Sequence, residues 1–525
     1  MADPVTSGSV MATLEAAEPT HEEHVESEHM LAISVVGICL LNVLSLGAGQ
    51  WLHSKHIYWL PECGMTILIG FIVGLIIKTE LPPEMVFAET NMYFDPVFFQ
   101  LFLLPPIIFD AGYGLNMSLF GKNIWKIMAL AVFGTLISTA ITWWALYTDR
   151  TDYLIDLSFS ESGQFAALIS AIDPVATLAL FGALKVDPNL NSIVVGESVL
   201  NDAVALIAFR AVTHFGIEMK DEAESIVASF VVTGVGSAVM GVAIGMGAAL
   251  VFKTMGMGAR AAKKRSSLID AHEREHIATD LPHVEGIIFV AFAYISFVGA
   301  ELPENSGIVS SLFAGFTMRA YARPNLSVAA RTQCDSLLKV LAVLAENTVY
   351  LLVGLALTIE LEYVVNDTLE GTTLQWVSAV HAFVYVIVLA VAVRAVHLFP
   401  IINAFNLFST KGDQVPFGQQ IVMWFSGLRG AIAVALAYQV EGDNEGGTAN
   451  NKHIIRAATM MTVVFTTFAF GGATPCLLDR MGIETGREEE GGEAKKEGVF
   501  KTIEDKLVDP DIAKHESTKY EQLQA

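Results

Sequence analysis

The chain has 525 residues, of which 53% are hydrophobic and only 16% charged, with a mean hydropathy of +0.51. That balance excludes an ordinary soluble globule and points to a chain that lives mostly in a bilayer. The formal charge of -24 lies mainly in the N-terminal segment, the short loops and the tail, a solvated surface feature that gives no basic footprint for nucleic acid.

Residues 1–30 hold Asp3, Glu15, Glu18, Glu22, Glu23, Glu26 and Glu28 with no Lys or Arg, the opposite of a signal peptide's basic start, so we read an acidic extramembrane segment there. Thirteen apolar segments follow, at 31–51, 60–78, 97–112, 124–147, 163–184, 191–213, 226–253, 284–299, 304–320, 333–359, 375–400, 417–438 and 452–478, each near the length a bilayer requires. The expectation is an all-α polytopic membrane protein of about 13 transmembrane helices, with a membrane domain over 31–478 and lipid around it. A polar tail over 479–525 contains Glu488, Glu489 and Glu490. Further on, Phe500, Ile503 and Leu507 recur at helical spacing, which suits a short amphipathic helix; its partner is not specified by the sequence. Cys39, Cys63, Cys334 and Cys476 show no C-x-x-C spacing and read as packed thiols.

Charge in the loops sets the orientation, because cytoplasmic loops carry the excess of Lys and Arg. Odd-to-even connections contain Lys55, Lys122, Lys126, Lys185, the group Lys253, Arg260, Lys263, Lys264 and Arg265, then Arg319, Arg323, Arg331 and Lys411. Even-to-odd connections contain acids instead, among them Glu84, Asp152, Glu161, Glu222, Glu301, Glu360 and Asp443. The N-terminus is therefore expected outside or in a lumen and the C-terminus in the cytoplasm. Asn366-Asp367-Thr368 is a glycosylation sequon in a loop this topology places outside.

The most informative stretch is Gly196-Glu197-Ser198-Val199-Leu200-Asn201-Asp202, which sets two carboxylates and a carboxamide inside the sixth apolar segment. A charge at membrane depth is expensive, so its default reading is an ion or proton pathway. Ser198 and Asp202 lie four residues apart on one helical face, with Glu197 and Asn201 on the adjacent stripe. Their oxygens suit a small hard cation.

Two segments are interrupted. The fifth contains Ala171-Ile172-Asp173-Pro174, where proline removes a backbone donor and disfavours helix before it. The twelfth contains Gly427-Leu428-Arg429-Gly430. If spans 1–6 and 8–13 form an inverted repeat with span 7 as linker, the interruptions fall at equivalent positions. Broken crossing helices 5 and 12 are the best sequence pointer to a transport site at the midplane. Asp173 would offset the positive helix ends there and Arg429 the negative ones. No nucleotide-binding motif is present, so neither an enzyme nor an ATP-driven pump is expected, and no cofactor is called for.

Taken in order, Leu104-Pro105-Pro106-Ile107-Ile108-Phe109-Asp110-Ala111-Gly112-Tyr113, Ser170-Ala171-Ile172-Asp173-Pro174-Val175-Ala176, Gly196-Glu197-Ser198 through Asn201-Asp202, and Gly427-Leu428-Arg429-Gly430-Ala431 resemble the sodium/proton exchangers of the cation/proton antiporter 1 family. The resemblance covers roughly residues 31–480. Met423-Trp424-Phe425-Ser426-Gly427 and Arg394-Ala395-Val396 before Phe399-Pro400 look closest to the organellar, Golgi and endosome type. The resemblance implies electroneutral exchange of sodium or potassium for a proton at Asp202, helped by Asn201, Ser198 and backbone near Asp173, since relatives with Asp-Asp in place of Asn-Asp are electrogenic. It pairs Glu197 with Arg394, matches Glu346 to a family acidic position, and places Phe109 and Asp110 in the region where acylguanidine inhibitors bind. It also implies a homodimer, an elevator-like motion of spans 5, 6, 12 and 13, and a Golgi, endosomal or plasma membrane location. Physics agrees on the Glu197–Arg394 pair, because neither charge is affordable alone in hydrocarbon. A cation channel and a non-transporting pH sensor are the weaker readings; broken inverted helices argue for alternating access and no repeated filter sequence is present.

Overall fold

A computed structural model describes residues 21–483 apart from 56, 58, 81–95, 116, 149–156, 174–180, 182–185, 219–222, 255–270, 304, 367–374, 410–413 and 441–449. Among the described residues the secondary structure is helical throughout and contains no strand. In chain order the helices are α1 (His21–Ser54), α2 (Glu62–Glu80), α3 (Pro96–Gly114), α4 (Ser118–Thr148), α5 (Phe159–Ser170), α6 (Pro188–Glu218), α7 (Ala223–Thr254), α8 (Ala271–Glu301), α9 (Gly307–Thr317), α10 (Val328–Asn366), α11 (Gln375–Phe408), α12 (Phe417–Phe425), α13 (Ala431–Tyr438) and α14 (Asn451–Met481). π-helical turns occur in α3 at Phe99–Leu103, in α4 at Ala129–Gly134 and in α14 at Thr467–Gly471, and another continues α9 at Met318–Ala322.

Ten of these helices are long and apolar enough to cross a membrane. The three expected segments not among them, 163–184, 304–320 and 417–438, form short helices instead: α5, α9, and the pair α12 and α13. The fifth leaves helical geometry at Ala171, whose ψ is 139°, and the twelfth does so between Ser426 and Gly430. Pro174 and most of the second half of the fifth segment lie outside the described residues.

Burial shows which helix is central. Every residue from Ser192 to Phe209 of α6 is buried, whereas only 22% of Val35–Leu52 in α1 is. Exposed Val35, Val36, Leu40 and Val43 on α1 form a lipid-type surface. Small residues let neighbouring backbones approach: a methyl on Gly70 of α2 would lie 3.2 Å from the Cα of Gly354 on α10, and one on Gly354 would lie 2.8 Å from the Phe71 nitrogen. A buried polar network beside this crossing joins three helices. Asn347 of α10 accepts from Thr66 of α2 at 2.8 Å and donates to Asn42 and Ser45 of α1 at 2.8 and 2.5 Å.

Several acids expected in solvated loops belong to helix ends and have partners. Glu161 closes a capping box with Ser158 at the start of α5 and accepts from Asn451 at 3.2 Å. Glu360, only 1% exposed, meets His453 at 2.8 Å and Arg456 at 3.7 Å. Glu301 accepts from Arg210 of α6 at 2.9 Å and from the Gly307 amide at 2.8 Å. Helices outrun the apolar windows by a turn or more, so charges that flank a window become packing partners. Two cysteines also depart from expectation: Cys334 is buried, but Cys39 and Cys476 are exposed.

Candidate functional site

Glu197, Ser198, Asn201 and Asp202 lie at the middle of α6, each 3% exposed or less. Their helical spacing makes one polar stripe within the buried stretch of this helix. Glu197 Oε1 accepts from Arg394 Nη1 of α11 at 3.2 Å. Arg394 does more than neutralise this carboxylate. Its Nη2 donates to the Met423 carbonyl at 2.7 Å and its Nε to the Trp424 carbonyl at 3.1 Å, which satisfies two of the orphan acceptors in the last turn of α12.

The two interruptions lie side by side. The Asp173 amide donates to the Leu428 carbonyl at 2.8 Å, joining them through the backbone. Arg429 reaches across and donates to the carbonyls of Ser170 and Ala171 at 3.2 and 2.8 Å, the end of α5, while its amide donates to Thr466 of α14 at 3.1 Å. Asp173 takes the opposite place. Its side chain lies against Gly430, where a methyl would come 2.6 Å from the Asp173 Cβ, immediately before the N-terminus of α13. Each interruption thus sets a charge of one sign at the helix end of the other.

Asp173 and Asp202 line one cavity together with Glu346 and Tyr350 of α10. The backbone amide of Ile172 faces the Asp202 carboxylate. Buried and without hydrogen-bond partners in the protein are Glu197 Oε2, Ser198 Oγ, Asn201 Oδ1 and Asp202 Oδ2, an oxygen set of the kind a monovalent cation takes in place of water. Among the described residues no three His, Cys, Asp or Glu side chains gather as a metal centre, so a cation here would depend on hydroxyl, amide and backbone oxygens as well as carboxylates.

Phe109 is not brought to the cavity. It stacks on Tyr113 at 6.1 Å and meets the edge of Phe289 at 6.0 Å, while Leu104, Ile107 and Ile108 of the same helix line the cavity. Asp110 pairs with Lys339 at 3.4 Å. Asn366 is the last residue of α10; Asp367 and Thr368 of its sequon lie outside the described residues, as does the tail beyond 483. Sequence reasoning missed Tyr350, whose hydroxyl donates to Asp173 Oδ2, and the contacts of Arg394 with α12. Tyr350 follows Glu346 by four residues and shares its face, but spacing does not say what that face meets.

A profile of the transmembrane sodium/hydrogen exchanger family matches residues 42–480. Among curated proteins, Sodium/hydrogen exchanger 8 of Homo sapiens is 30% identical over 91% of this chain and 76% of its own length. Sodium/hydrogen exchanger 5 of Arabidopsis thaliana is 32% identical over 87% and 81%. The endosomal/prevacuolar sodium/hydrogen exchanger of Saccharomyces cerevisiae is 32% identical over 90% and 71%. Among solved structures, the sodium proton antiporter MjNhaP1 of Methanocaldococcus jannaschii has the same fold, with a TM-score of 0.54 over 84% of this chain and 99% of that one at 15% identity.

Proposed function

The chain belongs to the sodium/hydrogen exchanger family, multi-pass membrane transporters and not enzymes, and from that premise we propose that it exchanges one sodium ion for one proton by alternating access at Asp202. The observation that carries this reading is the enclosed stripe Glu197, Ser198, Asn201 and Asp202 facing two interrupted helices. A carboxylate withdrawn from water binds either a proton or a cation, and the two compete for one oxygen cluster. Ser198, Asn201 and backbone near Asp173 complete the cation's shell. Glu197 and Arg394 hold the α6 stripe in register, and Asp173 and Arg429 compensate the helix ends. Glu346 borders the cavity and is not assigned a step.

With one carboxylate carrying one cation or one proton, no net charge crosses. Moving a single charge through 100 mV involves about 2.3 kcal/mol, so a neutral cycle runs on the ion gradients alone. The moving unit in this proposal is α5, α6, α12, α13 and α14 against the remaining helices, with a homodimer as the assembly. The endosomal/prevacuolar relative supports a Golgi or endosomal location over the plasma membrane, and the loop charges support a lumenal N-terminus and a cytoplasmic C-terminus.

The test is proton flux in proteoliposomes driven by a sodium or potassium gradient, with the voltage clamped at two values. Flux should be independent of voltage and abolished by Asp202→Asn, and the ratio of rates ranks the two cations. A current that follows voltage, or an active Asp202→Asn protein, would overturn the one-carboxylate mechanism.

A further inference from the structure

Two carboxylates, Asp173 and Asp202, line the same cavity, yet a one-for-one exchange needs only one of them to trade its proton. Their surroundings differ. Asp202 Oδ2 is buried with no hydrogen-bond partner in the protein. Asp173 Oδ2 accepts the Tyr350 hydroxyl, its amide is bonded to Leu428, and its side chain is confined by Gly430.

Tyr350 is held where it is by the helix that bears it. Three residues earlier, Asn347 ties α10 to Thr66, Asn42 and Ser45. Four residues later, Gly354 fits α10 against α2 at backbone distance. The rotation of α10 is therefore set on both sides of Tyr350, and its buried hydroxyl is delivered to Asp173. A phenylalanine would fill the same ring space, so what the hydroxyl adds is this one hydrogen bond.

We propose that Tyr350 is the positioning residue that makes the exchange one-for-one: its hydroxyl keeps the Asp173 carboxylate committed, leaving Asp202 as the one carboxylate that trades a proton for a cation. The proposal rests on the exchanger reading above. Arg394 offsets Glu197, and Arg429 is bonded to the end of α5 and faces Asp202 and Glu197, so it is the Tyr350 hydroxyl that bonds the Asp173 carboxylate directly. Among the titratable and charged groups, Tyr350 and Glu346 from α10, Cys63 from α2 and Asp202 from α6 face Asp173, and Arg429 from the twelfth segment faces Asp202. Glu346 also faces Lys339 of its own helix.

The experiment counts protons released by the purified full-length protein when sodium is added, read with a pH-indicator dye in weakly buffered detergent solution. Wild type should release one proton per chain. Tyr350→Phe should release close to two at acid starting pH, because Asp173 then takes up a proton that the cation displaces, and its proteoliposome flux should become voltage-dependent. Adding Asp173→Asn to Tyr350→Phe, which removes the second carboxylate, should return the count toward one. A Tyr350→Phe protein that still releases one proton with voltage-independent flux overturns the assignment to Tyr350 and leaves the exchanger reading intact. Equal counts for Tyr350→Phe with and without Asp173→Asn overturn it too, even if the variants are too unstable for flux. A wild type that releases none takes down the exchanger reading together with the assignment.

Discussion

At Gly430 a single methyl should be enough to disrupt the site. It would lie 2.6 Å from the Asp173 Cβ, and Asp173 is itself fixed by Leu428 and Tyr350, so neither side can give way easily. Overpacking of this kind costs about 1–3 kcal/mol. We expect Gly430→Ala to lower the thermal unfolding midpoint in detergent and to suppress exchange. Gly247→Ala on α7 is the matched comparison, because nothing lies within 4 Å of that added methyl. It should be neutral or stabilise by about 0.5–1 kcal/mol, and equal behaviour of the two variants would refute the close-contact account. At this scale, charge in an apolar run was readable directly, which is why Asp202, Glu197, Asp173, Arg394 and Arg429 could be singled out from sequence. Tyr350 could not. A tyrosine in an apolar helix reads as packing until the rotation of α10 is known, and that rotation depends on Asn42 and Thr66, some 300 residues upstream.

Between elements, the arginine of α11 has two tasks that can be separated. Glu197→Gln keeps an acceptor for Arg394 and leaves the α12 carbonyls served. Arg394→Ala removes the partner of Glu197 and the donors of Met423 and Trp424 at once. Breaking a buried pair by deleting one side costs about 3–5 kcal/mol. We therefore expect Arg394→Ala to lower the unfolding midpoint well below that of Glu197→Gln. The reverse order would show that the α12 contacts contribute little. The interruptions themselves were legible, since proline and glycine signal them locally. The acids at 161, 301 and 360 were misread, because a hydropathy window ends where apolar residues end and the helix does not.

At the scale of the whole molecule, hydropathy anticipated a helical membrane protein, and ten of the thirteen expected segments are helices of spanning length. What they could not anticipate is how the crossing is closed, because its bonds join residues that are distant in sequence. Arg429 reaches carbonyls 258 and 259 residues before it. Chains are made from the N-terminus, so the end of α5 enters the bilayer long before its donor exists, and Arg429 alone at a helix centre would oppose insertion by about 2.5–3.5 kcal/mol. A ribosome must therefore finish nearly the whole chain before either broken helix has its partner. A chain stopped at residue 416 should be cleared from cells faster than the full one in a pulse-chase measurement, which makes order of synthesis a constraint on how this centre is built.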